Sequence, residues 1–181
     1  MTYRILEIGP GRMPMHHLEG GFHLDDGEEY IALDPDREAF NARIWQEIKP
    51  DKRVSIVVGS KYNIPIQANS VDEVVMLGST SDDSSEMAEI DRVLKNGGIV
   101  KLGALADALP WLESTTCQQL HVMGYERVGT KEHMYDDGTF QPEFIMTKTP
   151  DDPLAIAKAF PNLEAGKPNI ASYTVVTYKK P

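Results

Sequence analysis

Short apolar runs separated by polar or glycine-containing breaks recur through the first hundred residues. Ile5–Ile8, Tyr30–Leu33, Val54–Val58, Val71–Leu77 and Ile99–Leu102 are too short for helices, and each is followed by a glycine or an aspartate. Such runs read as strands buried on both faces. Helix signals lie between them. Asp34-Pro35-Asp36 offers an N-cap acid and a first-turn proline. Phe40, Ile44 and Ile48 then recur at every fourth position with Trp45 beside them, and Pro50 ends the helix. Asp83 stands three residues before Glu86, an Asx version of the capping box. Met87, Ile90, Val93 and Leu94 form the buried stripe of that helix, which Asn96-Gly97-Gly98 closes with a left-handed cap. Arg12–Glu29 breaks the alternation: Pro14, Gly20 and Gly21 leave room for at most a short helix over Met15–Leu18.

Strands alternating with helices or loops predict an α/β fold with a parallel sheet covered on both faces. Right-handed crossovers bring the strand-exit loops to one edge. After Gly103 the pattern continues with a helix over Asp107–Met123 and a sixth strand over Tyr125–Val128. Glu143–Lys148 and Tyr173–Tyr178 are two further strand candidates, with a helix over Pro153–Phe160 between them. Either candidate could pair with the sixth strand. No repeat or linker divides the chain, so residues 1–181 are expected to form one domain.

Composition narrows the functional classes. Net charge is −10, from 28 acids against 18 bases. That disfavours nucleic acid, which needs a basic face, and makes a small molecule the default substrate. No apolar run is long enough for a membrane helix and no leader pattern opens the chain. The single cysteine, Cys117, excludes an internal disulfide and a cysteine-based zinc cluster, and fits a cytoplasmic setting; its expected place is a half-buried packing position.

The chemistry gathers at the strand exits. Glu7-Ile8-Gly9-Pro10-Gly11 ends the first strand in two spaced glycines, which can adopt dihedrals closed to other residues and let a ligand approach the backbone. Asp34 ends the second strand, where an acid can accept hydrogen bonds from both hydroxyls of a ribose. Ser60 stands at the exit of the third. A dinucleotide site wants a small residue three positions after the second glycine, over a firm helix N-terminus. Pro14 stands there, and Glu7 lies close to where a pyrophosphate would go, so NAD and FAD are disfavoured. An acid before the turn suits a ligand carrying positive charge.

These segments resemble the class I S-adenosylmethionine-dependent methyltransferases. Glu7-Ile-Gly9-Pro10-Gly11 is similar to the acid-x-Gly-x-Gly first motif, and Tyr30-Ile-Ala-Leu-Asp34-Pro35 to the second. Ile64-Pro-Ile66 with Ser70-Val-Asp-Glu-Val-Val75 resembles the stretch leading into strand four, and Glu89-Ile-Asp-Arg92-Val-Leu-Lys-Asn-Gly97-Gly98 the element before strand five. The resemblance covers Ile5 to about Leu102. It implies a Rossmann-like three-layer sandwich, a mostly parallel sheet with an antiparallel C-terminal strand or hairpin. Residues 1–103 would be the cofactor-binding half and 104–181 the substrate-side half.

The implied cofactor is S-adenosylmethionine, held by Glu7, Gly9, Pro10, Gly11, Asp34, Pro35, Ser60, Lys61, Leu77 and Gly78. The implied activity is in-line methyl transfer to a small acceptor; a binding or regulatory protein without turnover is the alternative. The departures are specific. Met13 replaces the third glycine of the first motif, and Ser60 replaces the acid that meets adenine. Leu77-Gly78-Ser79-Thr80 stands where amino-group methyltransferases carry Asn/Asp-Pro-Pro-Tyr, so no catalytic residue is implied. Strand one begins at once, which leaves the site open, capped by the segment after Gly103, or closed by a second subunit in a homo-oligomer. The remaining chemistry-bearing side chains have plainer readings. His16 and His17 read as loop residues, His121 and His133 as surface or packing residues, and Trp111 and Tyr135 as core. Asp82-Asp83 reads as a solvated cap, and His23, Glu19 and Asp25 lie on an irregular segment without fixed metal geometry.

Overall fold

A computed structural model describes residues 2–12, 14, 22–77, 84–105, 112–135 and 171–181. The strands are β1 (Tyr3–Ile8), β2 (Glu28–Asp34), β3 (Val54–Val58), β4 (Val71–Leu77), β5 (Leu94–Leu105), β6 (Glu126–Tyr135) and β7 (Ala171–Lys179). They form one seven-stranded sheet in the order β3-β2-β1-β4-β5-β7-β6. The pairs joining β1 through β5 are parallel. β7 closes antiparallel on β5: Gly97 N–H donates to the Lys180 carbonyl at 3.2 Å and Lys180 N–H to that of Gly98 at 2.9 Å. This is a Rossmann-like three-layer fold with an antiparallel C-terminal strand pair. Two compact units are distinguished, one of Met1–Lys131 with Thr174–Pro181 and one of Glu132–Tyr173. Of the two C-terminal strand candidates, Tyr173–Tyr178 is the one seen beside the sixth strand. Met15–Leu18, Glu143–Lys148 and Pro153–Phe160 lie outside the described residues.

Strand alternation sorts the side chains onto two faces. Leu6, Ile8, Leu33, Val74, Met76, Val100 and Leu102 form one core with Met87, Ile90 and Val93 of helix α2 (Ser84–Val93). Leu112 and Leu120 join it, the latter from helix α3 (Gln118–Val122), which continues a π-helical segment at Glu113–Cys117. Cys117 is buried there as a packing residue. Ile5, Glu7, Tyr30, Ala32 and Val75 occupy the opposite face, in register across β1, β2 and β4.

Helix α1 (Arg43–Ile48) serves that second face, and it differs from the fourfold spacing. A 3-10 turn at Arg37–Asn41 comes first, capped by Asp36, whose carboxylate accepts from Glu38 N–H. Ala42 is extended (ψ 151°), so the helical phase restarts after Phe40. Trp45 therefore becomes the fully buried anchor, while Ile44 and Ile48 are only half-buried. Trp45 packs edge-on to Phe40 and stacks against Tyr30. At the other glycine pair, α2 already ends at Val93, because Leu94 has entered β5 opposite Val71. Gly97, with φ +74°, is left-handed inside β5, where the register slips and the end of β7 docks. A Cβ on Gly98 would stand 2.7 Å from Leu94 Cδ1 and 2.8 Å from the Lys95 carbonyl, so only glycine fits that bulge.

The passage from β3 to β4 has no helix. Residues 59–70 must cross past β2 and β1 as irregular chain, and their backbone polar groups need partners from elsewhere. Glu89 and Arg92 of α2 supply them. Glu89 accepts from Ile64 N–H at 2.8 Å; Arg92 donates to the carbonyls of Ile64 at 2.7 Å and Ile66 at 2.9 Å, and pairs with Glu89 at 2.7 Å. Ile64 is thereby pinned into the core beneath the crossover.

Charged hydrogen bonds of this kind are worth about 1.5–3 kcal/mol each where solvent is excluded. Arg92 is partly open to water, so Arg92→Ala is expected to cost about 2 kcal/mol, seen as a fall of about 4–8 °C in thermal midpoint. Arg92→Lys, which cannot span two carbonyls, should recover less than half of the loss. Full recovery by lysine in thermal melts would mean that charge alone, not the forked geometry, holds the crossover.

Candidate functional site

Glycine conformation shapes the exit of β1. Gly9 and Gly11 have φ of +68° and +61°, the left-handed region closed to most side chains. Gly9 N–H still reaches β2, donating to the Leu33 carbonyl at 2.8 Å. The turn then rises and is caught at Gly11 on both sides of the residue. Gly11 N–H donates to Asp34 Oδ2 at 2.9 Å, and its carbonyl accepts from Trp45 Nε1 at 3.0 Å. Among the described residues nothing would lie within 4 Å of a Cβ at Gly11, so they leave open space against the turn. Pro10 and Pro14 are buried beside it.

Asp34 is 7% exposed and does two structural tasks. Oδ2 holds Gly11, while Oδ1 accepts from Asp36 N–H at 2.8 Å. It therefore orders its own exit loop rather than capping the following helix, a task left to Asp36. Each carboxylate oxygen has two acceptor sites, so one on each remains after these bonds. The Asp34 carbonyl also accepts from Gly59 N–H at 3.1 Å, which ties the exit of β3 to that of β2. Pro35 and Ser60 are exposed on this edge, and Ser60 Oγ accepts from Tyr62 N–H at 3.2 Å.

Glu7 lies one level below the turn. It is 1% exposed, and its Oε2 accepts from the Tyr30 hydroxyl at 2.6 Å. Burial, then the charge of Glu7 and this hydrogen bond, push the Tyr30 phenol well above its ordinary value. Tyr30 is also sandwiched between rings, with Phe22 edge-on at 5.0 Å and Trp45 stacked on it. Lys61, expected near the cofactor, places its ammonium 2.9 Å from Glu86 Oε2 in the first turn of α2. That contact is an ion pair without hydrogen-bond alignment, since neither Glu86 oxygen has a hydrogen-bond partner although the side chain is fully buried. Leu77 is buried at the end of β4, and Gly78 lies outside the described residues.

The structure thus brings Gly9, Pro10, Gly11, Asp34 and Pro35 onto one edge, with Ser60 at the next strand exit. Glu7 and Leu77 sit beneath that edge, and Lys61 is turned toward α2. Sequence reasoning missed Tyr30 and Trp45 as supports of the turn. The available signal was a tyrosine and a tryptophan whose polar atoms, once buried, need partners. His121 is exposed on α3. Asp82, Asp83 and Trp111 lie outside the described residues, as do His16 and His17. Among the described residues, no group of three His, Cys, Asp or Glu is placed to hold a metal ion.

Residues 6–102, more than half of the chain, match the family described as methyltransferase domain. The chain belongs to that family. No curated protein matches the sequence. Solved structures share the fold at low identity. A candidate methyltransferase from Bacillus halodurans is 17% identical with a TM-score of 0.60, over 99% of this chain and 93% of that one. A methyltransferase from Methanosarcina mazei, described as dependent on S-adenosylmethionine, is 13% identical with a TM-score of 0.58, over 99% and 92%. The [4+2]-cyclase SpnF is 18% identical with a TM-score of 0.61, over 99% and 76%. The Gly9–Gly11 turn and Asp34 fall within the matched residues.

The buried Tyr30–Glu7 bond gives the site a pH signature. The folded-state phenol titrates well above the unfolded one, so above pH ~10 the unfolded chain binds fewer protons and stability falls as pH rises. The slope from Tyr30 is about 1.4 kcal/mol per pH unit, while below that range its contribution is fully present. Tyr30→Phe should lose about 1–3 kcal/mol at pH 8 and should show a shallower alkaline decline in denaturant melts between pH 8 and 11. Identical slopes in the two proteins would mean that Tyr30 does not couple folding to pH.

Proposed function

We propose that this protein binds S-adenosylmethionine at the exits of β1 and β2 and uses it to methylate a small-molecule acceptor. The observation that carries the reading is the glycine turn over Asp34. Two left-handed glycines, open space at Gly11 and spare acceptor sites on the Asp34 carboxylate suit a nucleoside ribose. The residues present fit that cofactor better than a dinucleotide. Glu7 adds a buried carboxyl group beneath the turn, which when ionised is favourable to a cation and unfavourable to pyrophosphate.

When bound, S-adenosylmethionine supplies a methyl group on a positively charged sulfur, which the acceptor's lone pair displaces in line. The chain's residues would bind and orient. Gly9 and Gly11 would offer backbone contacts, Asp34 would accept from ribose hydroxyls, and Pro35, Ser60 and Leu77 would border the nucleoside. Gly78 would lie toward the methyl group, and Lys61 would reach the site only by leaving Glu86. Alignment and exclusion of water supply most of such a reaction's acceleration, so it can proceed without a dedicated base when the nucleophile is already deprotonated. The acidic surface favours a small acceptor over nucleic acid.

A second reading keeps the ligand and drops the turnover. Ser60 stands where an acid would meet adenine, and both Asp34 oxygens already hold backbone N–H groups. The cyclase neighbour also shows that this fold is not confined to methyl transfer.

Titration calorimetry with S-adenosylmethionine, its demethylated product and NAD should show binding of both sulfur compounds and none of NAD. Asp34→Ala should weaken binding about 10–100-fold, the loss of one or two charged hydrogen bonds, whereas His121→Ala should leave it unchanged. Failure of both sulfur compounds to bind would end the proposal; binding without methylation across an acceptor panel would leave the second reading.

A further inference from the structure

β3 is one edge of the seven-stranded sheet. On its inner side the ladder to β2 uses the Arg53 carbonyl, which accepts from Tyr30 N–H, and the N–H of Gly59, which donates to Asp34. Alternation along the strand then turns the N–H and C=O of Ile56 and Val58 outward. An outward-facing row of this kind is a template for another strand. Natural edges are blunted by charge or proline, yet β3 reads Val-Ser-Ile-Val-Val and leaves Val58 50% exposed. Beside it lies a cavity of about 410 Å³ between the strand and the 3-10 turn, floored by Phe40, Ile56 and Val58 and rimmed by Arg37, Asn41 and Lys49.

The charge at this rim selects the occupant. The chain as a whole carries −10, yet among the described residues Arg37 and Lys49 form no salt bridge; Lys49 donates to the Phe40 carbonyl at 2.8 Å instead. A second copy docked strand to strand would bring the same cations face to face across a two-fold axis. β3 itself carries no acid to answer them, and Lys52 and Arg53 precede it.

We propose that the β3 edge docks an extended segment of a partner protein in which acidic side chains stand two positions before and after an apolar one, all three on the face turned to the cavity. Backbone hydrogen bonds to Ile56 and Val58 would set the register, an apolar side chain would enter the cavity, and the acids two positions away on the same face would meet Arg37 and Lys49. This lateral edge runs up to the strand exits, where Val58 pairs with Asp34, but the inference uses none of the residues assigned to the cofactor and does not rest on methyl transfer.

The test is fluorescence anisotropy of labelled, end-blocked heptapeptides on the full chain, each with a central leucine and serine elsewhere, one carrying glutamate two positions either side of the leucine and one carrying lysine there. The glutamate peptide should bind at least tenfold tighter, and less tightly as salt is raised. Ile56→Pro removes an outward N–H without touching the inner ladder and should weaken binding at least fivefold. Arg37→Glu, at an exposed side chain, should erase most of the charge preference; it keeps the test decisive if thermal melts show that the proline variant is unfolded. Equal binding of the two peptides, or glutamate-peptide binding indifferent to Arg37→Glu, would overturn the proposal. So would a concentration-dependent dimer in sedimentation that Val58→Glu abolishes, because the edge would then belong to a second copy.

Discussion

The carboxylate of Asp34 is the point on which the strand-exit edge depends. One oxygen holds Gly11 at the top of the first turn and the other holds Asp36 at the start of the second loop. The residue's own carbonyl binds Gly59 from the third strand. Three exits are therefore fixed relative to one another through a single residue. Removing this carboxylate would leave the partly buried N–H groups of Gly11 and Asp36 without their acceptor, and unsatisfied donors cost more than the bonds they replace. Loss of ligand binding on changing Asp34 must therefore be separated from loosening of the turn, and melting curves of the same variant make that separation.

A second constraint works from beneath. A parallel crossover normally carries a helix, which satisfies its own backbone. The β3-to-β4 connection lacks one, and α2 answers with Glu89 and Arg92 aimed at the backbone of Ile64 and Ile66. The far end of α2 is closed in a similar way. Lys180, just past β7, donates to the carbonyls of Asp91 and Leu94, while Tyr125 donates to Asp91 Oδ1 at 2.9 Å. α2 thus works as a bracket between the crossover and the C-terminal strand, and not simply as a lid on the core.

How much of this was legible in the sequence depends on whether local pattern or distant partners decide a feature. The five parallel strands were legible because burial on both faces forces continuous apolar runs. The acid-x-Gly-x-Gly turn and Asp34 were legible because strand ends and glycines mark loops. The 3-10 turn before α1 was not, because the break at Ala42 leaves no Gly or Pro; it goes with the packing of Phe40 on Trp45 and of Trp45 on Tyr30. The role of Gly97 was misread because a left-handed glycine after an apolar stripe signals a helix end equally well as a bulge. Pairing of Leu94 with Val71 decided between them. Lys61 looked like a cleft residue by position, and only the buried Glu86 on α2 explains its direction.

Glu7 shows how position and burial together narrow chemistry. It sits immediately below a turn with open space against it, yet it is sealed from solvent and bonded to Tyr30. A sealed carboxylate already bonded to Tyr30 cannot make a new contact at the surface of the turn without rearrangement around it. Its influence on a ligand there would pass through space as charge, over low-dielectric packing that screens it poorly. Such a field lowers the energy of a cationic sulfur or amino group and raises that of a phosphate, whichever hydrogen bonds either would make. The Tyr30–Trp45 stack then has a double consequence. Tyr30 holds Glu7 through its hydroxyl, and the Trp45 indole fixes the Gly11 carbonyl, so that the carboxylate and the turn above it are held by the same pair of rings.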